Sequence, residues 1–176
     1  VKQLVNLMNG RIEVKSEPGR GTEFKVWLYL GPADTASAPS APPQRRSAVL
    51  SGKKILLCED NEMNAEIAQS MLSSQGAAVQ RASDGAQGLA YFAASSPGYF
   101  DAVLMDLRMP NMDGYAATVH IRALDRGDAK TVPIIAMSAD AFAEDIKKTQ
   151  AAGMNAHIAK PVDPDVLFET LERLCK

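Results

Sequence analysis

The sequence has no long apolar run, few cysteines and little net charge. Its two cysteines, Cys58 and Cys175, have the spacing of neither metal ligands nor a disulfide framework, and the apolar surroundings of Cys58 predict a buried thiol. No apolar run approaches the roughly 18 residues of a membrane span, and no signal peptide is recognisable. The formal net charge of −2 gives no electrostatic basis for binding nucleic acid or a membrane surface. We therefore expect a cytoplasmic segment that contacts neither of them directly.

The length and the prolines suggest one domain with additional material. The chain has 176 residues, of which 46% are hydrophobic and 23% charged, so it can form one ordinary core. It begins at Val1 rather than at methionine, which predicts a piece of a longer protein. Residues 31–50 contain four of the ten prolines among alanines and serines, without any periodicity. This composition is typical of a semi-extended linker.

Residues 1–30 show a helical pattern followed by two strand patterns. A helix is predicted over residues 1–9, with Gly10 as its end. Arg11–Ser16 and Thr22–Leu30 alternate as strands do, and the residues between them predict a hairpin connection. Because one helix and two strands cannot enclose a core, we expect this segment to be a remnant of a larger domain or to pack on something else.

From Ser51 onward, apolar strands alternate with amphipathic helices. The predicted strands are Lys54–Cys58, Ala78–Arg81, Phe100–Met105, Val132–Met137 and Ala156–Ala159. The predicted helices are Glu62–Ser74, Ala86–Ala94, Tyr115–Leu124, Ala141–Ala152 and Pro164–Leu174. These βα units predict an α/β domain with a doubly wound, five-stranded parallel sheet.

Apolar spacing predicts which face of two helices packs inward. The first helix carries Met63, Ile67 and Met71 at four-residue spacing, which is typical of a core-facing stripe. For the last helix, the residues predicted to point inward are Val166, Leu167, Thr170, Leu171 and Leu174.

Polar side chains stand where four of the predicted strands end. Glu59 and Asp60 follow the first strand, Asp106 the third, Ser138 the fourth and Lys160 the fifth. Each of them alone could simply cap a helix or lie in solvent. Because parallel strands end at the same edge of a sheet, we expect all of them to share one pocket. Three adjacent carboxylates repel one another and are costly unless a cation joins them.

This residue set is suited to phosphoryl transfer. Carboxylate oxygens are hard ligands of the kind that Mg²⁺ binds, together with waters and substrate phosphate. Lys160 adds a second positive charge, and Ser138 can donate a hydrogen bond to a phosphoryl oxygen. Asp106 is left as a nucleophile that would form an aspartyl phosphate.

Residues 51–176 resemble the receiver domain of two-component response regulators. The matching motifs are Glu59-Asp60, Asp106-Leu-Arg-Met-Pro-Asn-Met-Asp-Gly114, Met137-Ser-Ala139 and Lys160-Pro161. The resemblance implies a flavodoxin-like receiver fold with strand order 2-1-3-4-5. It also implies a Mg²⁺ site, a phosphohistidine-bearing partner and a cis Lys160–Pro161 bond.

The resemblance implies a role for each site residue. Glu59, Asp60, Asp106 and the backbone carbonyl of Arg108 would bind Mg²⁺. Asp106 would accept the phosphoryl group, and Ser138 and Lys160 would bind its oxygens. The family's switch position, three residues before the lysine, usually holds Tyr or Phe, whereas this chain has His157. His157 therefore either couples with Ser138 in switching or is an ordinary surface histidine.

Residues 1–30 resemble the end of the ATP-binding domain of sensor histidine kinases. The matching segments are Val1-Lys-Gln-Leu-Val, Asn9-Gly-Arg-Ile and Ser16-Glu-Pro-Gly-Arg-Gly-Thr-Glu-Phe24. The nucleotide-binding motifs of that family are absent, so we expect no ATP binding by this chain. The order of kinase remnant, linker and receiver implies the C-terminal part of a hybrid sensor histidine kinase, whose parent protein could be anchored in a membrane. The phosphohistidine would belong to the parent's own dimerisation domain or to a histidine phosphotransfer protein.

The fragment itself would catalyse only its own aspartyl phosphorylation and dephosphorylation. Three other functions compete with that of a phosphoacceptor. A receiver-like interaction module that is never phosphorylated would not need the complete set of acids, hydroxyl and lysine. An aspartyl-phosphate hydrolase usually has a second acid two residues after its nucleophile, where this chain has Arg108. A flavodoxin-like cofactor binder needs a phosphate-binding loop after the first strand, where Glu59 and Asp60 would repel phosphate.

Overall fold

A computed structural model of the chain describes residues 5, 10–17, 19, 21–28, 50–139 and 143–175. The chain divides into two compact units, Val1–Gln44 and Arg45–Lys176. The predicted linker lies almost entirely outside the described residues. Its last residue, Leu50, is an exception, because it is 1% exposed and packs in the core of the second unit. Among the described residues, no helix is long and apolar enough to cross a membrane.

The first unit contains the predicted hairpin. Strand β1 (Arg11–Glu17) pairs antiparallel with β2 (Gly21–Trp27), with Val14 opposite Phe24. Directly opposed residues share a face, so Val14 and Phe24 lie on an apolar face, yet they are 55% and 65% exposed. Of the helix predicted over residues 1–9, only Val5 is described, and it is helical.

The second unit contains a parallel sheet with the order β4-β3-β5-β6-β7. Its strands are β3 (Lys54–Cys58), β4 (Ala78–Ala82), β5 (Ala102–Asp106), β6 (Ile134–Ser138) and β7 (Ala156–Ala159). Counted within this unit, the order is 2-1-3-4-5, as the resemblance implied. The helices are α1 (Glu62–Ser74), α2 (Gly85–Ala94), α3 (Gly114–Ala123), α4 (Ala143–Ala151) and α5 (Pro164–Leu174), and a 3₁₀ helix spans Gly127–Lys130.

The sheet is buried on both faces, which explains its continuous apolar strands. Every residue of β5 and β6 is buried. Alternate residues point to opposite faces, so Leu56, Val103 and Met105 pack in one core cluster, and Leu57 and Leu104 pack in the other. Cys58 lies in the first cluster, and burial raises the pKa of its thiol to about 12. The predicted buried thiol is thus confirmed.

Three strands end one residue later than predicted, and two of these, β5 and β6, also begin two residues later. The third strand of the sheet begins at Ala102 rather than at Phe100 and includes Asp106. Phe100 is buried but precedes the strand, and Asp101 uses its carboxylate to accept the backbone N–H of Lys54. Similarly, β6 begins at Ile134, because Pro133 lacks the N–H that a central strand needs.

The prediction for the inward face of α1 was wrong. Met63 is 70% exposed and Ile67 is 49% exposed, whereas Ala65, Ala68 and Leu72 are buried. The small alanine side chains bring the helix close to the sheet, so the larger apolar residues lie on the outside. In α5, Val166 was also predicted to point inward but is 47% exposed. These helices therefore expose apolar side chains that the core does not use.

The ion pair between Arg126 and Asp128, beside the 3₁₀ helix, anchors the chain at the C-terminal end of α2. The Arg126 guanidinium donates to both oxygens of Asp128, at 2.6 and 2.8 Å, and also to the carbonyl of Ser95 at 2.9 Å. The Asp128 carboxylate also accepts the backbone N–H of Gly98 at 2.7 Å. The hydrogen bonds from Arg126 are the main cause that lowers the pKa of Asp128 to about 2.

We predict that Asp128→Asn destabilises the protein at neutral pH but not in strong acid. Because the pKa of Asp128 is lower in the folded state, its contribution is fully present above the unfolded pKa of about 4 and is lost as the pH falls toward 2. We expect a loss of roughly 2 kcal/mol in unfolding free energy at pH 7, shrinking through this window. Urea denaturation from pH 7 to pH 3 measures it. Asp125→Asn, an exposed neighbour, is the control, and a loss that does not depend on pH would contradict the prediction.

Candidate active site

The carboxyl edge of the parallel sheet brings together the acids and the lysine expected from the sequence. Asp106 is the last residue of β5, Glu59 follows β3, and Lys160 follows β7. The Lys160 ammonium donates to Glu59 Oε2 at 2.6 Å and to Asp106 Oδ2 at 2.8 Å. Side chains from three strands of the sheet thus meet at one point.

The acids form a group that can hold a divalent cation. Glu59, Asp60 and Asp106 each offer an oxygen, and these oxygens all lie within 4.8 Å of one another. Glu59 and Asp106 are 2% and 6% exposed, whereas Asp60 is exposed to solvent. A few carboxylates with one side open to water suit Mg²⁺, which keeps several of its own waters. The donor set therefore fits the metal that the sequence predicted.

Lys160 supplies the positive charge that compensates the buried acids. Its side chain is 17% exposed and touches two carboxylates that are almost inaccessible to water. Burial would lower the pKa of Lys160, but its hydrogen bonds to Asp106 and Glu59 outweigh burial and hold this pKa above its ordinary value. The lysine therefore stays charged and neutralises part of the acidic cluster.

The backbone near Asp106 is closely packed. Asp106 Oδ1 accepts the backbone N–H of Arg108 at 3.2 Å, which turns the chain sharply after the strand. Any Cβ at Gly114 would overlap the carbonyl oxygen of Asp106, so only glycine fits where α3 begins. The Lys160–Pro161 peptide bond is cis, as the resemblance implied.

Asn64 was not predicted as a site residue from the sequence. Its side-chain amide donates to Glu59 Oε1 at 3.1 Å, while Lys160 holds the other oxygen of the same carboxylate. Asn61 caps α1 by accepting the backbone N–H of Asn64, which fixes the first turn of the helix beside the strand end. The position of an amide in the first turn after an acidic strand end was a signal that could have indicated this contact.

Ser138 and His157 contact each other directly. Ser138 ends β6 and is 5% exposed, and its Oγ lies 2.9 Å from His157 Nε2. His157 is partly buried in β7, so its ring is not a freely exposed side chain. Its role in switching stays a prediction, as does the contribution of the Arg108 carbonyl to a metal site.

A groove of about 500 Å³ opens beside the acids. Glu59 and Lys160 lie at one side of it, and Ile67, Met71 and Val162 supply apolar walls. Ile67 and Met71 of α1 thus lie in the same groove as Glu59 and Lys160.

The chain is similar to a known protein family and to known sensor histidine kinases. Residues 55–172 match the family model described as the response regulator receiver domain. The chain is similar to the sensor histidine kinase AruS of Pseudomonas aeruginosa, at 32% identity over 170 residues that cover 97% of this chain and 16% of AruS. It spans less than a fifth of the length of the curated relatives it matches.

Two solved structures have the same fold as the second unit. One is the receiver domain of sensor histidine kinase PA1611 from Pseudomonas aeruginosa PAO1, with magnesium in its active site cleft. The two structures align with a TM-score of 0.64 at 39% sequence identity, and the alignment covers 71% of this chain and 98% of that chain. The other is the receiver domain of Ssk1 from Saccharomyces cerevisiae, crystallised with the histidine phosphotransfer protein Ypd1. This alignment has a TM-score of 0.62 at 23% sequence identity and covers 70% of this chain and 88% of that chain.

We predict that Lys160→Met strongly destabilises the metal-free protein. Removing one partner of a buried ion pair leaves uncompensated charge and costs about 3–5 kcal/mol, so we expect a loss near the lower end, since Lys160 is 17% exposed. Mg²⁺ should restore more unfolding free energy to the variant than it adds to the wild type, because a cation again faces the acids. Urea denaturation in EDTA and in Mg²⁺ measures both effects.

The matched control for this experiment is Lys130→Met, which removes an exposed lysine from the 3₁₀ helix. It should leave the unfolding free energy nearly unchanged. Equal stability of the Lys160 and Lys130 variants would show that the lysine does not compensate the acids.

Proposed function

The chain belongs to the response regulator receiver family, and on that premise we propose that Asp106 accepts a phosphoryl group from a phosphohistidine. The observation that carries this proposal is the contact of Lys160 Nζ with Asp106 Oδ2 at 2.8 Å, inside a group of three carboxylates. In the reaction, an Asp106 oxygen forms a bond to phosphorus as the bond from phosphorus to the histidine nitrogen breaks. The departing imidazole keeps the electron pair of that bond.

Other residues of the chain bind and neutralise the transferred group. Lys160 can remain at Asp106 and contact a phosphoryl oxygen, and the Ser138 hydroxyl can donate to another. Glu59, Asp60, Asp106 and the Arg108 carbonyl would hold Mg²⁺, which supplies charge neutralisation when it is bound. The magnesium in the PA1611 receiver domain, at 39% identity, supports this assignment.

We infer that the parent protein is a hybrid sensor histidine kinase. The match to AruS covers 97% of the chain, so it extends beyond the receiver unit into the N-terminal segment. The β1–β2 hairpin leaves an apolar face exposed, which supports the interpretation of residues 1–30 as the end of a larger kinase ATP-binding domain. The nucleotide motifs of such a domain are not among these residues, so this chain alone would not bind ATP.

The partner is a domain that carries phosphohistidine, and we propose that it docks on α1. Met63, Ile67 and Met71 form an apolar stripe on α1, and Ile67 and Met71 line the groove together with Glu59 and Lys160. Met71 is half-buried, and the other two are largely exposed. An apolar surface beside a nucleophile suits a helical partner whose histidine reaches over the site. The Ssk1 receiver, which shares the fold, was crystallised with a histidine phosphotransfer protein.

We predict that Asp106→Asn abolishes phosphorylation. With Mg²⁺ and a small acyl phosphate, the wild-type chain should gain the mass of one phosphoryl group, because the Asp106 carboxylate is held by Lys160 within the group of acids that fits Mg²⁺. The variant should gain none, and Asp125→Asn, an exposed acid outside the site, should behave as wild type. Intact-mass spectrometry measures the gain, and equal gains in all three proteins would place the acceptor elsewhere.

We predict that Ile67→Asp separates partner docking from chemistry. A charge in the centre of the stripe should slow transfer from a phosphohistidine domain by roughly tenfold or more, as expected for an interface hot spot. Phosphorylation by a small acyl phosphate should stay unchanged, because that donor needs no protein surface. Transfer of radiolabelled phosphate, from any phosphohistidine domain that phosphorylates the wild type, measures the first rate.

Val119→Asp is the control for docking, since Val119 is 52% exposed on α3. It places the same charge on a different apolar surface position. If both aspartate variants slow transfer equally, or neither does, α1 is not the docking surface.

A further inference from the structure

The side chain of Glu59 is held at both of its carboxylate oxygens. The Asn64 amide donates to Oε1 at 3.1 Å, and the Lys160 ammonium donates to Oε2 at 2.6 Å. These donors belong to different elements, since Asn64 lies in the first turn of α1 and Lys160 follows β7. A carboxylate that is 2% exposed needs such partners, because a buried charge without hydrogen bonds is costly. Glu59 is therefore fixed between a helix and the outer strand.

The cap of α1 places Asn64 where its side chain can reach Glu59. Asn61 is the N-cap, and its side-chain oxygen accepts the backbone N–H of Asn64 at 3.1 Å. Helical side chains lean toward the N-terminus, so the third residue of a helix reaches back toward the cap. In a capping box this residue would bond to the backbone of the N-cap. Asn64 instead reaches the Glu59 side chain, two residues before the cap, so the helix start directs its amide at the acid.

The two donors differ in charge, and this decides how each responds to a metal. Lys160 also donates to Asp106 Oδ2 at 2.8 Å, so its ammonium contacts two of the acids that fit Mg²⁺. A divalent cation that joins these acids repels the ammonium, because both are positive. The Asn64 amide has no net charge, so the metal does not repel it in this way. Asn64 is thus the partner that can keep its contact with Glu59 when the metal is bound.

We propose that Asn64 is a positioning residue that holds the Glu59 carboxylate in place for Mg²⁺. This role rests on the proposed metal site and adds to it a residue that is not itself a ligand. Hydrogen bonds from outside the ligand set orient a carboxylate for its metal, and the loss of one typically lowers metal affinity roughly ten- to a hundredfold. We expect a loss of about tenfold, since Asn64 is exposed and its hydrogen bond is that of a neutral donor.

A purely structural role for Asn64 makes a different prediction. If the amide only satisfied a buried oxygen, its removal would lower the unfolding free energy equally with and without Mg²⁺. Under our proposal the stabilisation that Mg²⁺ adds also becomes smaller, because a ligand stabilises the folded state less as its dissociation constant rises. The response to Mg²⁺ therefore separates the two roles.

The first experiment measures the dissociation constant for Mg²⁺ by NMR titration, and the unfolding free energy in EDTA and in Mg²⁺. Asn64→Leu, which has a similar size but no donor, should raise the dissociation constant about tenfold. Asn64→Gln should retain most of the affinity, because its amide can donate to the same oxygen. The matched control is Gln69→Leu, which removes an exposed amide from the same helix and should bind Mg²⁺ as the wild type does.

The second experiment needs only the wild-type protein. Nitrogen-15 NMR follows the side-chain amide of Asn64, and the exposed amide of Gln69 serves as an internal reference. With and without saturating Mg²⁺, the Asn64 amide protons should exchange with water more slowly than those of Gln69, because one of them stays bonded to Glu59. An exchange rate that rises to that of Gln69 when Mg²⁺ is added would show that the contact breaks, and would overturn the proposal.

The possible results of the titration have distinct meanings. Unchanged or tighter Mg²⁺ binding by Asn64→Leu would overturn the role of Asn64 while leaving the metal site intact. Failure of the wild-type chain to bind Mg²⁺ would reject the proposed metal site, and the role of Asn64 with it. If Asn64→Leu does not fold, the exchange measurement on the wild type decides the question by itself.

Discussion

The contacts of the Lys160 ammonium with Glu59 and Asp106 make the acidic edge of this sheet compatible with a folded chain. Burying two carboxylates that are 2% and 6% exposed so close together is costly without a compensating charge. The lysine reaches both of them from the end of β7, so the outer strand is required at the site as well as in the sheet. Any cation that enters this site must share the acids with Lys160. Metal binding therefore depends on the same contacts that join Asp106 to the end of β7.

Sequence reasoning predicted the features that depend on strand ends. In a parallel sheet, the last residue of each strand lies on one edge regardless of side-chain detail, so Glu59, Asp106, Ser138 and Lys160 could be grouped before any coordinates. Lys160 was expected in the same pocket as the acids, but its direct contacts with Glu59 and Asp106 were not predicted. The sequence contained no comparable rule for Asn64, whose contact with Glu59 depends on how the first turn of α1 is capped.

The orientation of α1 could not be predicted from apolar spacing. Two stripes, one of Met63 and Ile67 and one of Ala65 and Ala68, have helical spacing, and the larger side chains suggested the wrong one. The helix instead packs on the sheet through Ala65, Ala68 and Leu72. The bond between Ser138 and His157 was equally beyond the sequence, since it depends on ring orientation and on the stagger of β6 and β7. The starts of β5 and β6 were predicted two residues too early, because the apolar pattern does not show that Asp101 and Pro133 lie outside the strands.

The exposed stripe of α1 is made mostly of methionine, and this has a consequence for selectivity. Met63 and Met71 have unbranched thioether side chains that adapt to surfaces of different shape and require no hydrogen-bond partner. Under the proposed docking on α1, such a surface would adapt to related helical partners, so it would contribute affinity with little discrimination. Discrimination then has to come from charge around the stripe, where Glu62 and Glu66 are exposed on the same helix. If a phosphohistidine domain docks on α1 as proposed, these acids would disfavour acidic partners and favour basic ones.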